Sequence, residues 1–281
     1  MNCKGIEWLG LDELLLAALR EDVGTGDITT MSCIPAENCA EGYYLVKEDG
    51  VLCGLSVAER VFALIDPAIT LTPKAQDGDH VKKGDVIATV SGPARGILTG
   101  ERVGLNLMQR MSGVATMTAK AVSEVAGTKA AIVDTRKSTP GLRVLEKYAV
   151  RVGGGKNHRF NLADGVLIKD NHIAAAGGIQ QALEAARRTA PHVMKLEVEV
   201  EDLAGVREAL DAGADVIMLD NMSPAAMTEA VALIGGRALT EASGNMGDRD
   251  IKEVARCGVD LISIGALTHS VRSLDISLKF Q

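Results

Sequence analysis

The chain has 281 residues, of which 47% are apolar, 24% charged and 2% aromatic, and its formal net charge is −7. That length can bury a substantial core in one domain or two, while the acidic balance and the scarcity of aromatic rings argue against a nucleic-acid-binding surface. No run approaches the roughly 18 apolar residues of a membrane span, and the first residues, MNCKGIEWLGLDELL, lack the apolar stretch and small-residue cleavage site of a signal peptide, so a cytoplasmic location is expected. The five cysteines (Cys3, Cys33, Cys39, Cys53 and Cys257) show no CxxC spacing and read as reduced structural or surface thiols.

In chain order, DELLLAALR (12–20) carries apolar side chains at helical spacing behind Asp12, which predicts a first helix capped by that residue. EDVGTGDITT (21–30) breaks the pattern and suits an ordered functional loop. From Ala40 to Val90 the residues suggest short strands. Within them DGDHVKKGDVIATVSG resembles the small β-hammerhead of biotinyl and lipoyl carriers. Lys82 and Lys83 are misplaced for the modified lysine of such a carrier, so a scaffold β-domain is the plainer reading. GERVGLNLMQRMSGVATMTAKAVSEV (100–125) is helical in pattern, with a break expected near Ser112–Gly113.

Beyond it the rhythm alternates. Short apolar runs at 130–134, 165–169, 195–200, 215–220, 238–243 and 261–265 are separated by helical stretches such as 179–190, 201–213 and 223–234. Strands alternating with helices predict parallel pairing through right-handed crossovers, in a doubly wound sheet or a barrel. The runs end in Asp134 with Arg136 and Lys137, then Lys169, Glu199, Asp220, Glu241 with Ser243, and Gly265. A β/α barrel would bring all these strand ends to one face, whereas a doubly wound sheet would gather only those at its switch point. The last two loops, ASGN and SIGA, occupy the position where barrels commonly hold phosphate on backbone N–H groups.

The segment 134–173 sets eight cationic side chains against four anionic ones, a local excess of four in an acidic protein. A cationic cleft around a Gly-rich turn suits a polyanionic small molecule. Arg136, Arg159 and Lys169 are the cations expected at the mouth, with solvated loop charges as the alternative. Arg143, Lys147 and Arg151 recur at helical spacing and are assigned to a solvated helix face. His158 follows three glycines and is positioned to donate to an acidic substrate; His172 reads as structural. Neither has the HExxH spacing of a metal pair, and GGGK (153–156) is not a P-loop. Glu199 and Asp220 are the anionic partners, suited to sugar hydroxyls or Mg²⁺ but equally to balancing Lys169 or Arg136.

The stretches EDVGTGDIT, ERVGLNLMQRMSGVAT, DTRKSTPGLRVLEKYAVRVGGGKNHRFNLADGVLIKDNHI, LEVEVE, ADVIMLDNM and EASG together resemble the quinolinate phosphoribosyltransferase family, over residues 21 to about 265. The resemblance implies an amino-terminal α+β sandwich domain (1–114), an incomplete, open β/α barrel of six or seven parallel strands (115–270) and a terminal segment (271–281) packing back on the first domain. It implies decarboxylating phosphoribosyl transfer from phosphoribosyl pyrophosphate to quinolinate in NAD synthesis, with Mg²⁺, in a homodimer whose sites borrow Arg102 from the neighbouring subunit. Arg136, His158 and Arg159 then look like the other quinolinate contacts, and Lys169 lies between the two substrates. Lys137, Glu199 and Asp220 look like partners of phosphoribosyl pyrophosphate and its Mg²⁺, and Ser243, Gly244 and Gly265 like the 5′-phosphate loops. The catalytic set is Lys137, Lys169, Glu199 and Asp220. One departure is Asn245, where the family usually has glycine.

The rivals are a same-fold phosphoribosyltransferase acting on another substrate, as in nicotinate phosphoribosyltransferase or the molybdenum-locus homologue, a hammerhead binding module, and a metal-dependent aldolase-like barrel for which Lys169 is the candidate Schiff-base lysine. The count of cations favours a diacid over the first. The strand-end functional groups weigh against the second, and the absence of a His-rich site weighs against a metal-dependent form of the third.

Overall fold

The computed structural model describes residues 8–280; Cys3 lies outside them. In chain order the first elements are helix α1 (Leu11–Val23), α2 (Ile28–Cys33), strands β1 (Cys39–Val46) and β2 (Gly50–Val51), then α3 (Leu55–Ile65). Strands β3 (Thr70–Pro73), β4 (His80–Val81) and β5 (Val86–Pro93) precede the long helix α4 (Ala94–Glu124). Next come β6 (Ala131–Val133), α5 (Arg143–Val152), β7 (Val166–Ile168), α6 (Asp170–Ala176), α7 (Ile179–Thr189) and β8 (Leu196–Val200). The order closes with α8 (Leu203–Asp211), β9 (Val216–Asp220), α9 (Pro224–Ile234), β10 (Leu239–Ser243), α10 (Ile251–Arg256), β11 (Leu261–Ser263), α11 (Ala266–His269) and β12 (Ile276–Phe280).

Two compact units result, one from the described residues of 8–119, 139–154 and 271–280, the other from 120–138 and 155–270. The first holds an antiparallel sheet in the order β12-β1-β5-β3 and a small β2–β4 pair. Alternation along β1 buries Tyr44 and Val46, which pack with Leu55, Ala58 and Phe62 of α3 and with Ile97, Leu105 and Met108 of α4. The second unit is a parallel six-stranded sheet in the order β6-β11-β10-β9-β8-β7. Its outer strands β6 and β7 do not pair with each other, so of the two arrangements the alternating pattern allowed this is the barrel, open and six-stranded as the family resemblance implied. Along β8, Leu196, Val198 and Val200 alternate with Glu197 and Glu199, which puts both glutamates on the opposite face of the strand from the three apolar side chains.

Several local expectations change. α1 starts at Leu11 behind Gly10, and Asp12 sits inside its first turn, where it accepts from Arg60 Nε at 2.8 Å and Nη2 at 2.5 Å. Of the expected loop 21–30, α1 takes the start and α2 the end; the Asp27 carboxylate caps α2 by accepting from Thr30 N–H at 3.0 Å. α4 runs unbroken through Ser112–Gly113. The glycine serves packing there: a Cβ on it would lie 2.2 Å from the Arg272 carbonyl oxygen. Ser112 Oγ bridges the backbone of Cys53, accepting from its N–H at 2.9 Å and donating to its carbonyl at 3.0 Å. Lys147 is not on a solvated face. It is wholly buried beside buried Glu146, which pairs with Arg110 at 2.6 Å.

Candidate active site

The carboxyl ends of the barrel strands surround a pocket of about 480 Å³. Arg136, Lys137, His158, Arg159, Lys169, Glu199, Asp220, Ser243 and Gly244 all line it, so nine of the residues singled out in the sequence meet in one place. Gly265 lies just outside the lining, against the Lys137 side chain: a Cβ there would come within 3.1 Å of Lys137 Cδ. Lys137 is further fixed by its carbonyl, which accepts from Thr268 Oγ1 at 2.8 Å. Arg102 is exposed on α4 in the first unit and is not among the residues lining this pocket.

Parallel register explains the convergence. Glu199, Met218 and Glu241 stand level across β8, β9 and β10, and Asp220 stands level with Ser243. Lys169 follows the Ile168–Val198 pair, which brings its Nζ onto Oε2 of Glu199. Asp220 accepts at Oδ2 from Asn221 Nδ2 at 2.7 Å. Asn221 takes a left-handed backbone (φ 54°), donates its N–H to the Ser243 carbonyl at 3.0 Å, and fills the space a side chain on Gly244 would need. Asn245 also adopts the left-handed conformation, φ 52°, one of the few non-glycine residue types that does so readily. The departure from glycine is therefore absorbed by the backbone.

His158 and Arg159 are held from beneath. Buried Asp134 accepts from the His158 backbone N–H at 2.8 Å and from Asn157 Nδ2 at 2.7 Å. His158 Nδ1 accepts from the Arg159 N–H at 2.7 Å, and Nε2 faces Glu197 Oε2 at 3.2 Å and Glu241 Oε2 at 3.7 Å. Both ring nitrogens thus have partners inside the protein while the side chain lines the pocket. Arg159 donates through Nη1 to the Gly165 carbonyl at 3.1 Å. Burial and then the Arg136 charge lower the pKa of its guanidinium, against the opposing pull of Glu197. His172 is exposed, and its Nδ1 accepts the Lys169 N–H at 3.0 Å, a local structural role.

A model of the amino-terminal domain of quinolinate phosphoribosyl transferases matches residues 27–112, and one of the carboxyl-terminal domain matches residues 114–279. A Bacillus subtilis protein named "Probable nicotinate-nucleotide pyrophosphorylase (carboxylating)" is 48% identical over 270 residues, covering 96% of this chain and 93% of that one. The chain belongs to the quinolinate phosphoribosyl transferase family. Among solved structures of its relatives, NadC from Streptococcus pyogenes is 46% identical with a TM-score of 0.90, over 96% of this chain and 97% of that one. The nicotinate-nucleotide pyrophosphorylase of Francisella tularensis is 38% identical with a TM-score of 0.93, over the full length of both.

Within this family member, the sequence reading passed over Glu197, Asn221, Thr135 and Ser263, and saw Glu241 only as a strand end. The signal for Glu197 was present in LEVEV: a residue two before Glu199 on the same strand shares its face. Nothing local marked Asn221 or Ser263.

Proposed function

We propose that this chain transfers the phosphoribosyl group of phosphoribosyl pyrophosphate to quinolinate and releases CO₂, giving nicotinate mononucleotide and pyrophosphate for NAD synthesis. One observation carries the reading: Arg136, Lys137, Arg159 and Lys169 line the same pocket as Glu199 and Asp220. Four cations suit the carboxylates of the diacid and the phosphates of the donor, because charge-assisted hydrogen bonds gain strength in a partly desolvated cleft. Two carboxylates suit ribose hydroxyls, which need acceptors. The family membership of the whole chain supports the same reaction.

In the proposed sequence the pyrophosphate leaves as the ribose gains oxocarbenium character, and Glu199 and Asp220 orient the hydroxyls and offset that charge. Lys137 and Lys169 stabilise the departing phosphates. The pyridine nitrogen attacks C1, and the resulting ring cation accepts the electrons released as the adjacent carboxylate departs. Arg136 and Arg159 hold the acid groups, joined by Arg102 of a second subunit in a homodimer. Asn221 keeps Asp220 aimed, and the Ser243–Gly244 turn with Gly265 cradles the 5′-phosphate.

Mg²⁺ fits this donor set. Glu199 commits one oxygen to Lys169 and Asp220 one to Asn221, which leaves hard oxygen ligands beside the space for the donor's phosphates. When bound, the ion would neutralise charge building on the leaving pyrophosphate. No described helix is long and apolar enough to cross a membrane.

The test supplies quinolinate, phosphoribosyl pyrophosphate and Mg²⁺ and measures CO₂ and nicotinate mononucleotide. A parallel reaction with nicotinate separates the nearest alternative. Turnover of nicotinate in preference to quinolinate would overturn the assignment.

A further inference from the structure

Beneath the pocket, a second cavity of about 590 Å³, open to solvent, lies at the amino ends of the strands, bordered by Gly165, Lys195, Val216 and Leu261. His158, Arg159 and Glu241 border both cavities, while Glu197 borders the lower one alone. These four side chains form the partition between the two spaces. Within it Glu241 is 1% exposed, and Oε1 of Glu241 and Oε1 of Glu197 are buried without a hydrogen-bond partner. Two buried carboxylates facing one imidazole N–H are an arrangement that a single ionised pair does not explain. Desolvation and mutual repulsion both favour a proton on one of them.

Resting on the decarboxylating reaction proposed above, we propose that Glu241 is the acid that protonates the ring carbon vacated by CO₂, and that it is reloaded from the lower cavity past Glu197. The bond to the departing carboxylate breaks and leaves its electron pair on the ring carbon. The Glu241 O–H bond then breaks, its proton closes the new C–H bond, and the carboxylate regains a proton from solvent reaching the lower cavity. No oxidant or further reactant is needed.

The neighbouring groups are less suited to this role than Glu241. The Arg159 N–H occupies His158 Nδ1, so the ring carries its proton on Nε2, directed at the two glutamates. Lys169 is bound to Glu199. Burial, followed by the Glu197 charge, pushes the Glu241 pKa up to about 7, while His158, the Ser263 hydroxyl and Lys169 pull the other way. The groups around Glu241 are Glu197 from β8, Ser263 from β11, Lys169 at the end of β7, and His158 with Arg159 from the loop after the glycines; level with it on β9 is apolar Met218. An acid with a pKa near the working pH is the most effective proton donor.

The experiment is a pH series, from about pH 6 to about pH 9, of single-turnover CO₂ release and product formation, together with quinolinate binding. In the wild-type protein, product formation should decline as pH rises through about 7, since Glu241 must be protonated. Glu241→Gln should lower the rate about 100-fold, the usual order for a lost general acid, abolish the decline, and leave quinolinate binding within about threefold. Glu197→Gln removes the charge that raises the Glu241 pKa and should move the decline to lower pH. A Glu241→Gln protein with the wild-type rate and profile overturns the proposal. Should that variant fail to fold, a wild-type profile flat over the whole range does the same. Absence of any CO₂ release by the wild-type protein would instead strike the activity itself.

Discussion

Lys169 Nζ, at the carboxyl end of β7, donates to Oε2 of Glu199 at the carboxyl end of β8, so the cation assigned between the substrates and a carboxylate assigned to the ribose are already joined. The Lys169 side chain is 43% exposed, and such pairs contribute little to stability, below about 1 kcal/mol. Glu199→Gln should therefore leave the melting temperature nearly unchanged while lowering kcat about 100-fold, the order seen when one charge-stabilising group is removed. Steady-state kinetics beside a thermal melt checks both halves.

Arg136 is the second test. If it grips a carboxylate in the pocket it lines, Arg136→Ala should cost about 1.5–3 kcal/mol of transition-state stabilisation. That is more than about tenfold in kcat/KM for quinolinate. An unchanged kcat/KM would remove Arg136 from the site. Mixing Arg136→Ala with Arg102→Ala protein should restore activity through hybrid dimers that carry one intact site, and no recovery would refute the borrowed arginine.

The turn after β10 predicts opposite outcomes at adjacent positions. Gly244 has φ 93°, and a Cβ there would lie 2.2 Å from Asn221 Oδ1 and 2.6 Å from Asn221 N. Gly244→Ala should raise the KM for phosphoribosyl pyrophosphate at least tenfold, on the order of the 1–3 kcal/mol that a strained backbone costs, because Asn221 must move and release Asp220. Asn245→Gly keeps the left-handed turn and should change activity by less than about twofold.

Stability at low pH should follow Asp260. Its carboxylate accepts from Thr240 N–H at 2.9 Å, Thr240 Oγ1 at 2.7 Å and Lys129 Nζ at 2.8 Å. Burial alone would raise its pKa, but these partners outweigh it and hold the carboxyl below the usual aspartate range. A depressed folded-state value contributes stability above the unfolded-state pKa, and that contribution fades as pH falls through the folded one. Asp260→Asn should lower the melting temperature near neutrality and flatten its fall below about pH 4. An unchanged acid slope would exclude this residue as a source of acid sensitivity.

The buried Arg110–Glu146 pair offers a stability test within the first unit. Glu146 is 1% exposed, pairs with Arg110 at 2.6 Å and also accepts the Thr139 N–H at 2.9 Å. Arg110→Ala leaves that carboxylate without its cation, and uncompensated buried charge costs about 3–5 kcal/mol. Because Arg110 is itself 26% exposed, the lower end is expected, read as a shift in denaturant midpoint.

The six barrel strands, their parallel pairing and the pocket side chains at their carboxyl ends were legible in the chain alone. Period-two and period-3.6 patterns are local, and parallel pairing through crossovers places every strand end on one face. Which side of a helix or strand faces the interior depends on what packs against it, and no local pattern carries that. So Lys147 turned out to be buried, and Gly113 admits the backbone of Arg272 where a helix break was expected. The partition of Glu197, His158 and Glu241 joins residues on two strands and a loop, brought together because closing a sheet toward a barrel buries alternate side chains from strands far apart in sequence.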